Sequence, residues 1–462
     1  MTLFDINKPS HVHFIGIGGA SMSGLAEILL AKGFTVTGSD INPGKGCAPL
    51  EAKGIKIGYP QKAENITDDI DLVVYTAAIG DTNPELMEVR KRGIPEMTRA
   101  AFLGALSRNH SVSIAVSGTH GKTTTSSLIS DICIAAGMDP TLSIGGVLES
   151  INDGMRIGNS EIFITEACEF TDSFLELSPK IATILNVEAD HLDYFGDLEN
   201  IRRSFKKFTD LIPADGTLVI NSDIDDYANF APSSGAAVVT YGTDPAKSDY
   251  YAADITFDAG GCGEYTLMIK GSEAGRIKLS VPGMHNVSNS LAAIAAAQAA
   301  GASIEDVRKG LCISTGARRR LEYKGEFNGV RVFDDYAHHP DEIAATLKAV
   351  RLMTENSIWA VFQPHNSSRT IAFLQEFADS MRENADHCIL MEIYNDREAD
   401  DSVSSADITR LINEAGGEAV FFDDMDKIAG YIAEAVAPGD VVITMGAGMI
   451  YNVAEKLTAK ES

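Results

Sequence analysis

The segment Gly118-Thr119-His120-Gly121-Lys122-Thr123-Thr124 carries the residue types that grip a nucleoside triphosphate. Lysine neutralises the outer phosphates, a threonine hydroxyl ligates Mg2+, and glycines let backbone N–H groups approach phosphate oxygens. The usual spacing, G-x-x-x-x-G-K-[ST], would put its first glycine at 116. This chain has Val116 there, and the nearest upstream glycine is Gly118, so the loop is two residues short. The apolar run "SIAVS" before it, and Leu128, Ile129 and Ile132 after it, predict strand, loop and helix. In that setting the helix N-terminus attracts anions. The metal partners of such a loop are carboxylates at the ends of neighbouring strands. Glu166 ends "EIFITE", and Glu188, Asp190 and His191 end "NVEADH". His191 taken singly reads as a structural histidine; beside these acids it is a candidate ligand. Cys168 reads as a small buried side chain with no nucleophilic partner.

A second glycine turn, Gly16-Ile17-Gly18-Gly19, ends the apolar run "HVHFIGIGG" and opens a helix. Its amides suit a diphosphate, and Asp40 ends the next strand, where a dinucleotide fold puts its ribose acid. Ser21 replaces the third glycine of G-x-G-x-x-G, so this turn by itself leaves NAD and other nucleotides open. Further on, Asp334-Asp335-Tyr336-Ala337-His338-His339-Pro340 falls between a strand and a helix, where loop residues reach ligands. Arg369, in "FQPHNSSRT", suits a planar carboxylate. No Ser-His-Asp or Cys-His arrangement accompanies these residues.

These groups are positioned by a recurring strand, glycine turn and helix. Met22, Leu25, Ala26 and Leu29 fall on one face of the first helix, and Gly33 is its stop. The polar stretch "LSRNHSVS" marks a boundary near 108. Between about 215 and 280 the runs "TLVIN", "YTLMIK" and "RIKLSV" are shorter and predict an antiparallel patch. Helices from Asn286 and after Ser303 end near "STGARRR". β-α alternation then resumes in "VRVFDDYAHHPDEI", "IWAVFQPH", "HCILMEIY" and "DVVITMGAGM". This alternation predicts an α/β protein with parallel, doubly wound sheets and sites at the carboxyl ends of strands. Its 462 residues suggest about three domains. We divide them as 1–108, 109–317 and 318–462.

The net charge of −27 argues against nucleic acid and anionic membranes as partners. Six scattered cysteines without Cys-x-x-Cys give no zinc framework and suit a reducing cytoplasm. The start "MTLFDINKPSHVHF" predicts no signal peptide, and no apolar run has the length of a membrane span.

The shortened loop resembles that of the Mur ligases and folylpolyglutamate synthetases. "HFIGIGGASMSGLAEILL", "GSD", "TEACEFTDSFL", "ILNVEADHLDYF", "DDYAHHPDEI" and "FQPH..SRT" extend the resemblance to the Mur ligases over essentially the whole chain. They point within that family to the branch that adds L-alanine to UDP-N-acetylmuramate. The resemblance implies a Rossmann-like UDP-sugar domain, a central P-loop ATPase domain with a mainly parallel sheet, and a Rossmann-like C-terminal domain that closes over the site. It implies ATP and Mg2+ as cofactors, with an acyl phosphate made on the lactyl carboxylate and attacked by the amine of alanine. By resemblance Gly118 to Thr124 hold ATP, with Lys122 at the terminal phosphates. Thr123 and Glu166 hold magnesium, and His191 serves a second magnesium. Asn289 contacts adenine, and Arg320 and Asp335 reach ATP from the third domain. Tyr336, His338 and Arg369 face the incoming amino acid and the reacting centre. Gly16, Gly18, Gly19 and Asp40 hold the UDP part.

Neighbouring Arg318 and Arg319 either join Arg320 in reaching ATP or form a solvated basic run. Three departures from the family stand out: Asn366 where arginine is common, Met449 where aspartate is common, and Cys168 where aspartate is common. The implied enzyme is cytoplasmic, a monomer or homodimer, with no nucleic-acid partner and no membrane insertion. Competing readings are a Mur-type ligase for another amino acid or peptide, an NAD-dependent oxidoreductase built on the first turn, and an inactive nucleotide-binding regulator.

Overall fold

Apolar runs closed by glycine turns form the strands of three sheets in the computed structural model, which describes residues 4–44, 46–395, 400 and 402–459. The first sheet comprises β1 (His11–Ile15), β2 (Thr35–Ser39), β3 (Lys56–Gly58), β4 (Leu72–Tyr75) and β5 (Glu96–Thr98). Their order is β3-β2-β1-β4-β5, all parallel. All five residues of β1 are buried, as a strand covered on both faces requires. Helix Ala20–Ala31 buries the expected Met22, Leu25, Ala26 and Leu29. Gly33 follows it at φ +85°, a conformation that ends a helix with little strain in glycine.

The second sheet is built on β6 (Val112–Ser117), β7 (Thr141–Leu148), β8 (Asp153–Arg156), β9 (Ile162–Glu166), β10 (Ile181–Ile184), β11 (Thr217–Asn221) and β12 (Ala237–Tyr241). Its order is β12-β11-β10-β6-β9-β7-β8, extended beyond β12 by β13 (Tyr250–Phe257), β14 (Cys262–Ile269) and β15 (Ser272–Pro282). The predicted antiparallel patch is corrected here. "TLVIN" is β11, parallel to both β10 and β12. Apolar alternation reports which faces are covered, not strand direction. Only β13 to β15 run as a meander, because the connections 258–261 and 270–271 are too short for a parallel crossover. The antiparallel hairpin β7–β8 went unforeseen. Gly145, Gly146 and Gly154 interrupt its apolar pattern.

The third sheet contains β16 (Glu322–Phe327), β17 (Val330–Asp335), β18 (Ile358–Phe362), β19 (His387–Met391), β20 (Ala419–Phe422) and β21 (Val441–Met445). The order is β16-β17-β21-β18-β19-β20, parallel except for the edge strand β16. The protein is therefore a three-domain α/β fold with mainly parallel sheets. By compactness the chain forms two units. One comprises Met1–Tyr251, Met268–Ser272 and Asn289–Leu311; the other comprises Ala252–Leu267, Glu273–Ser288 and Cys312–Ser462. Among the described residues no helix is long and apolar enough to cross a membrane.

Candidate functional site

β6 delivers the chain to the phosphate loop, and helix Lys122–Ala135 leaves it. Gly118 has φ +149° and Gly121 φ +83°, both unfavourable for other residues. Space is short as well. A Cβ on Gly118 would lie 2.9 Å from Leu185 Cβ, and one on Gly121 would lie 2.7 Å from Asn289 Oδ1. Asn289 therefore abuts the loop. Asn186, a residue the sequence reading passed over, braces it from the other side. The His120 amide donates to Asn186 Oδ1 at 2.8 Å, and Asn186 Nδ2 donates to the His120 carbonyl at 3.2 Å. The Glu188 amide donates to Thr119 Oγ1 at 3.0 Å. Thr124 is buried at the start of the helix.

Lys122 turns its ammonium inward. Nζ donates to the Gly118 carbonyl at 2.5 Å, to the Thr119 carbonyl at 3.0 Å and to Glu169 Oε2 at 3.0 Å. Burial would lower its pKa, but the charge of Glu169 overrides this and raises it to about 12. The lysine stays charged, as a phosphate ligand must. Glu169 lies three residues beyond Glu166, and sequence reasoning missed it; that spacing was the available signal.

The expected metal ligands come together. Thr123 Oγ1 donates to Glu166 Oε1 at 2.9 Å, and the Gly145 amide donates to the same oxygen at 2.7 Å. A hydroxyl and a carboxylate side by side at a phosphate loop are the hard oxygen donors that Mg2+ prefers. Glu169, Asp190 and His191 form a second group, with ligand atoms all within 4.8 Å of one another. β10 ends at Ile184, so Asp190 and His191 project from the following loop and not from a strand end. His191 adopts φ +51°, and its ring lies 4.5 Å from that of Phe170.

A cavity of about 370 Å³ opens beside Glu166. Ala20 and Ser21 line it at the start of the first helix, Gly145 and Gly146 on the β7–β8 hairpin, and Arg99 between. Close packing of helix Ala20–Ala31 on the hairpin forms its wall: a Cβ on Gly24 would strike Met155 Cγ at 2.3 Å. Cys168 is exposed and lines this cavity, which corrects its expected burial. The strand ends two residues earlier, so Cys168 sits in the loop outside the sheet core. Arg99 also escaped the sequence reading. Its guanidinium donates to Ser21 Oγ at 3.3 Å and meets no carboxylate among the described residues.

The first glycine turn is closed on itself. The Gly16 and Ile17 amides donate to the Ser39 carbonyl at 2.9 and 3.0 Å, and the Gly19 amide donates to the Gly16 carbonyl at 3.3 Å. The Gly18 amide donates to Asp40 Oδ2 at 2.8 Å. These four amides are already satisfied, and Asp40 serves as the brace of the turn. The donors left at this N-terminus belong to the first turn of helix Ala20–Ala31.

In the second unit, β17 and β18 deliver the remaining candidates. Asp335 is buried; its two oxygens accept the Leu321 amide at 2.6 Å and the Ala337 amide at 2.7 Å. Burial raises its pKa to about 6, against the opposing charge of Arg320. The Tyr336 ring lies 5.0 Å from the Arg319 guanidinium and 5.3 Å from that of Arg320. Arg319 is no part of a solvated run. Its Nε donates to the buried Asp334 at 2.9 Å, its Nη2 donates to the Gly446 carbonyl at 2.6 Å, and Tyr451 covers it at 4.7 Å. The basic triplet conceals one residue bound into the sheet end; Arg318 is its exposed member. His338 Nδ1 lies 2.9 Å from the Tyr336 carbonyl, and its ring is 6.2 Å from that of His365, beyond the end of β18. Arg369 follows in helix Ser367–Ala372, half-buried.

Three family models match in order along the chain. They are the Mur ligase family catalytic domain at residues 11–111, the Mur ligase middle domain at 116–297, and the Mur ligase glutamate ligase domain at 319–448. A UDP-N-acetylmuramate–L-alanine ligase of Lachnospira eligens is 50% identical over 458 residues, covering 99% of this chain and 100% of the relative. A protein of the same name from Agathobacter rectalis is 49% identical over 461 residues, covering 100% of both. The crystal structure of the UDP-N-acetylmuramate–alanine ligase of Thermotoga maritima superposes with a TM-score of 0.80 at 29% identity, covering 97% of this chain and 98% of that one. A murein peptide ligase of Psychrobacter arcticus gives a TM-score of 0.68 at 26% identity, covering 97% and 98%. With all three sheets covered by these matches, the chain belongs to the Mur ligase family.

Proposed function

We infer that this chain is an ATP-dependent ligase that joins L-alanine to the lactyl carboxylate of UDP-N-acetylmuramate, a step in peptidoglycan precursor synthesis. The observation that carries the reading is the Thr123–Glu166 pair beside the charged Lys122. It occurs in a chain whose near full-length relatives share that one activity in their names. The carboxylate attacks the γ-phosphorus of ATP, giving an acyl phosphate and ADP. The amine of alanine then attacks the acyl carbon, and the tetrahedral intermediate expels phosphate as the amide forms. Each step asks for positioning and charge neutralisation, with no protein nucleophile.

We assign Gly118 to Thr124 to the phosphates of ATP, with Lys122 at the terminal ones and Asn289 beside the loop toward the base. Thr123 and Glu166 would hold Mg2+, and His191 would hold a second ion; bound there, Mg2+ supplies charge neutralisation at the phosphates. The cavity beside Glu166 would take the acid-bearing sugar, with its diphosphate on the first-turn amides of helix Ala20–Ala31, because those of Gly16, Gly18 and Gly19 are already bound and Asp40 braces the turn. We also assign Arg320 and Asp335 to ATP, and Tyr336, His338 and Arg369 to alanine. The limits 1–108, 109–317 and 318–462 are our division of these tasks, and the cytoplasm is the compartment where the substrates of such a step occur.

The test is phosphate release with a panel of amino acids, with and without UDP-N-acetylmuramate. L-alanine with the sugar nucleotide should give the highest kcat/KM. A higher value with another amino acid or a peptide would overturn the assignment.

A further inference from the structure

Glu169 is 3% exposed, and the reaction as assigned leaves it without a task. Its oxygens lie 3.3 and 3.0 Å from Lys122 Nζ. The Gly118 and Thr119 carbonyls accept from the same ammonium at 2.5 and 3.0 Å. An ammonium carries three hydrogens, so this pose is saturated. Lys122 cannot meet a phosphate oxygen without releasing an acceptor. The two carbonyls belong to the loop that wraps the phosphates. The carboxylate is the one partner that an anionic phosphate oxygen replaces charge for charge.

We propose that Glu169 is the resting counter-ion of Lys122, displaced when the phosphates of a nucleotide arrive, so that it sets nucleotide affinity by competing for the lysine. The inference rests on the ATP reading above and deepens it. Displacement has a second consequence. It leaves Glu169 buried and without its cation, which is costly. The ligand atoms of Glu169, Asp190 and His191 lie within 4.8 Å of one another, so a divalent cation among them would relieve that charge. Nucleotide and divalent cation therefore bind cooperatively, and competition by Glu169 is most visible in a chelator.

The experiment is calorimetric titration of the full chain with a non-hydrolysable ATP analogue, in EDTA and in Mg2+, for wild type, Glu169→Gln and Glu169→Asp. In EDTA, Glu169→Gln should bind about tenfold more tightly, the scale expected on removing one close like charge. Glu169→Asp should stay near wild type, and the gap between wild type and Glu169→Gln should narrow in Mg2+. Affinity that is unchanged or weaker in a Glu169→Gln protein with a wild-type melting temperature overturns the proposal and leaves the ATP reading intact. Failure of wild type to take up the analogue in either buffer overturns both. Should Glu169→Gln fail to fold, a crystal structure of the wild-type complex decides. Lys122 Nζ should lie on phosphate oxygens and beyond 4 Å from Glu169; a lysine still paired with Glu169 overturns the proposal.

Discussion

Thr123 donates its hydroxyl hydrogen to Glu166 across 2.9 Å, joining the first turn of one helix to the last residue of a neighbouring strand. Four residues of loop and one strand end thus place a hydroxyl and a carboxylate on the same point. Glu166→Gln keeps the shape and one carbonyl acceptor but removes the charge. The expected outcome is at least about a tenfold rise in the Mg2+ concentration needed for half-maximal activity. Activity titrated against Mg2+ for the two proteins checks this, and Mn2+ binding followed by electron paramagnetic resonance should weaken in parallel.

Gly121→Ala meets two obstacles at once. Its φ of +83° costs a residue with a Cβ about 1–2 kcal/mol, and that Cβ would lie 2.7 Å from Asn289 Oδ1. The variant should melt a few degrees lower and bind ATP at least about tenfold more weakly. Adding Asn289→Ala removes the collision but leaves the backbone strain, so it should restore only part of the melting temperature. Differential scanning calorimetry of the single and double variants separates the two terms.

Much of this was legible in the residues themselves. Gly121-Lys122-Thr123 announces its chemistry because few residue types can do that work in that order. The parallel sheets follow from apolar runs separated by helical segments long enough for a parallel crossover. What escaped was set by three-dimensional proximity. Arg99 opens an ordinary helix, Arg99–Arg108, and nothing local marks it as facing a cavity. Asn186 sits in "ILNVEADH" among louder neighbours, and its amide matters only because the loop folds onto it. Arg319 looks like its neighbours in sequence, yet it meets the buried Asp334, since the strand Val330–Asp335 brings that carboxylate to it from fifteen positions away. The direction of "TLVIN" was misread because alternation carries burial and not polarity.

Arg99 lines the cavity with no carboxylate partner among the described residues, in a chain of net charge −27. A guanidinium in that position suits an anionic group of the sugar nucleotide. Arg99→Ala should raise the KM for UDP-N-acetylmuramate by about 10- to 100-fold, the loss expected for one charged hydrogen bond, while the KM for ATP stays within about twofold. Steady-state kinetics with each substrate varied in turn gives the result. Equal rises in both constants would point to disruption of the fold.

Acid sensitivity should localise to His285. Desolvation of its half-buried ring and the nearby Arg320 guanidinium push its pKa from 6.5 down to about 4, against the opposing charge of Glu342. A base whose folded-state pKa is depressed contributes stability above its unfolded value, and that contribution is lost as pH falls. The window is therefore about pH 6.5 down to about pH 4. His285→Gln cannot titrate, so its melting temperature should fall less steeply across that range than that of wild type. Melting curves at half-unit pH steps provide the comparison.

The central claim is that ATP activates the carboxylate of the sugar substrate by phosphorylating it. In that reaction one carboxylate oxygen leaves with the phosphate. UDP-N-acetylmuramate labelled with oxygen-18 in its lactyl carboxylate, turned over with ATP and L-alanine, should yield inorganic phosphate bearing one labelled oxygen, read by mass spectrometry. Phosphate released without label, at a rate matching amide formation, would contradict the account.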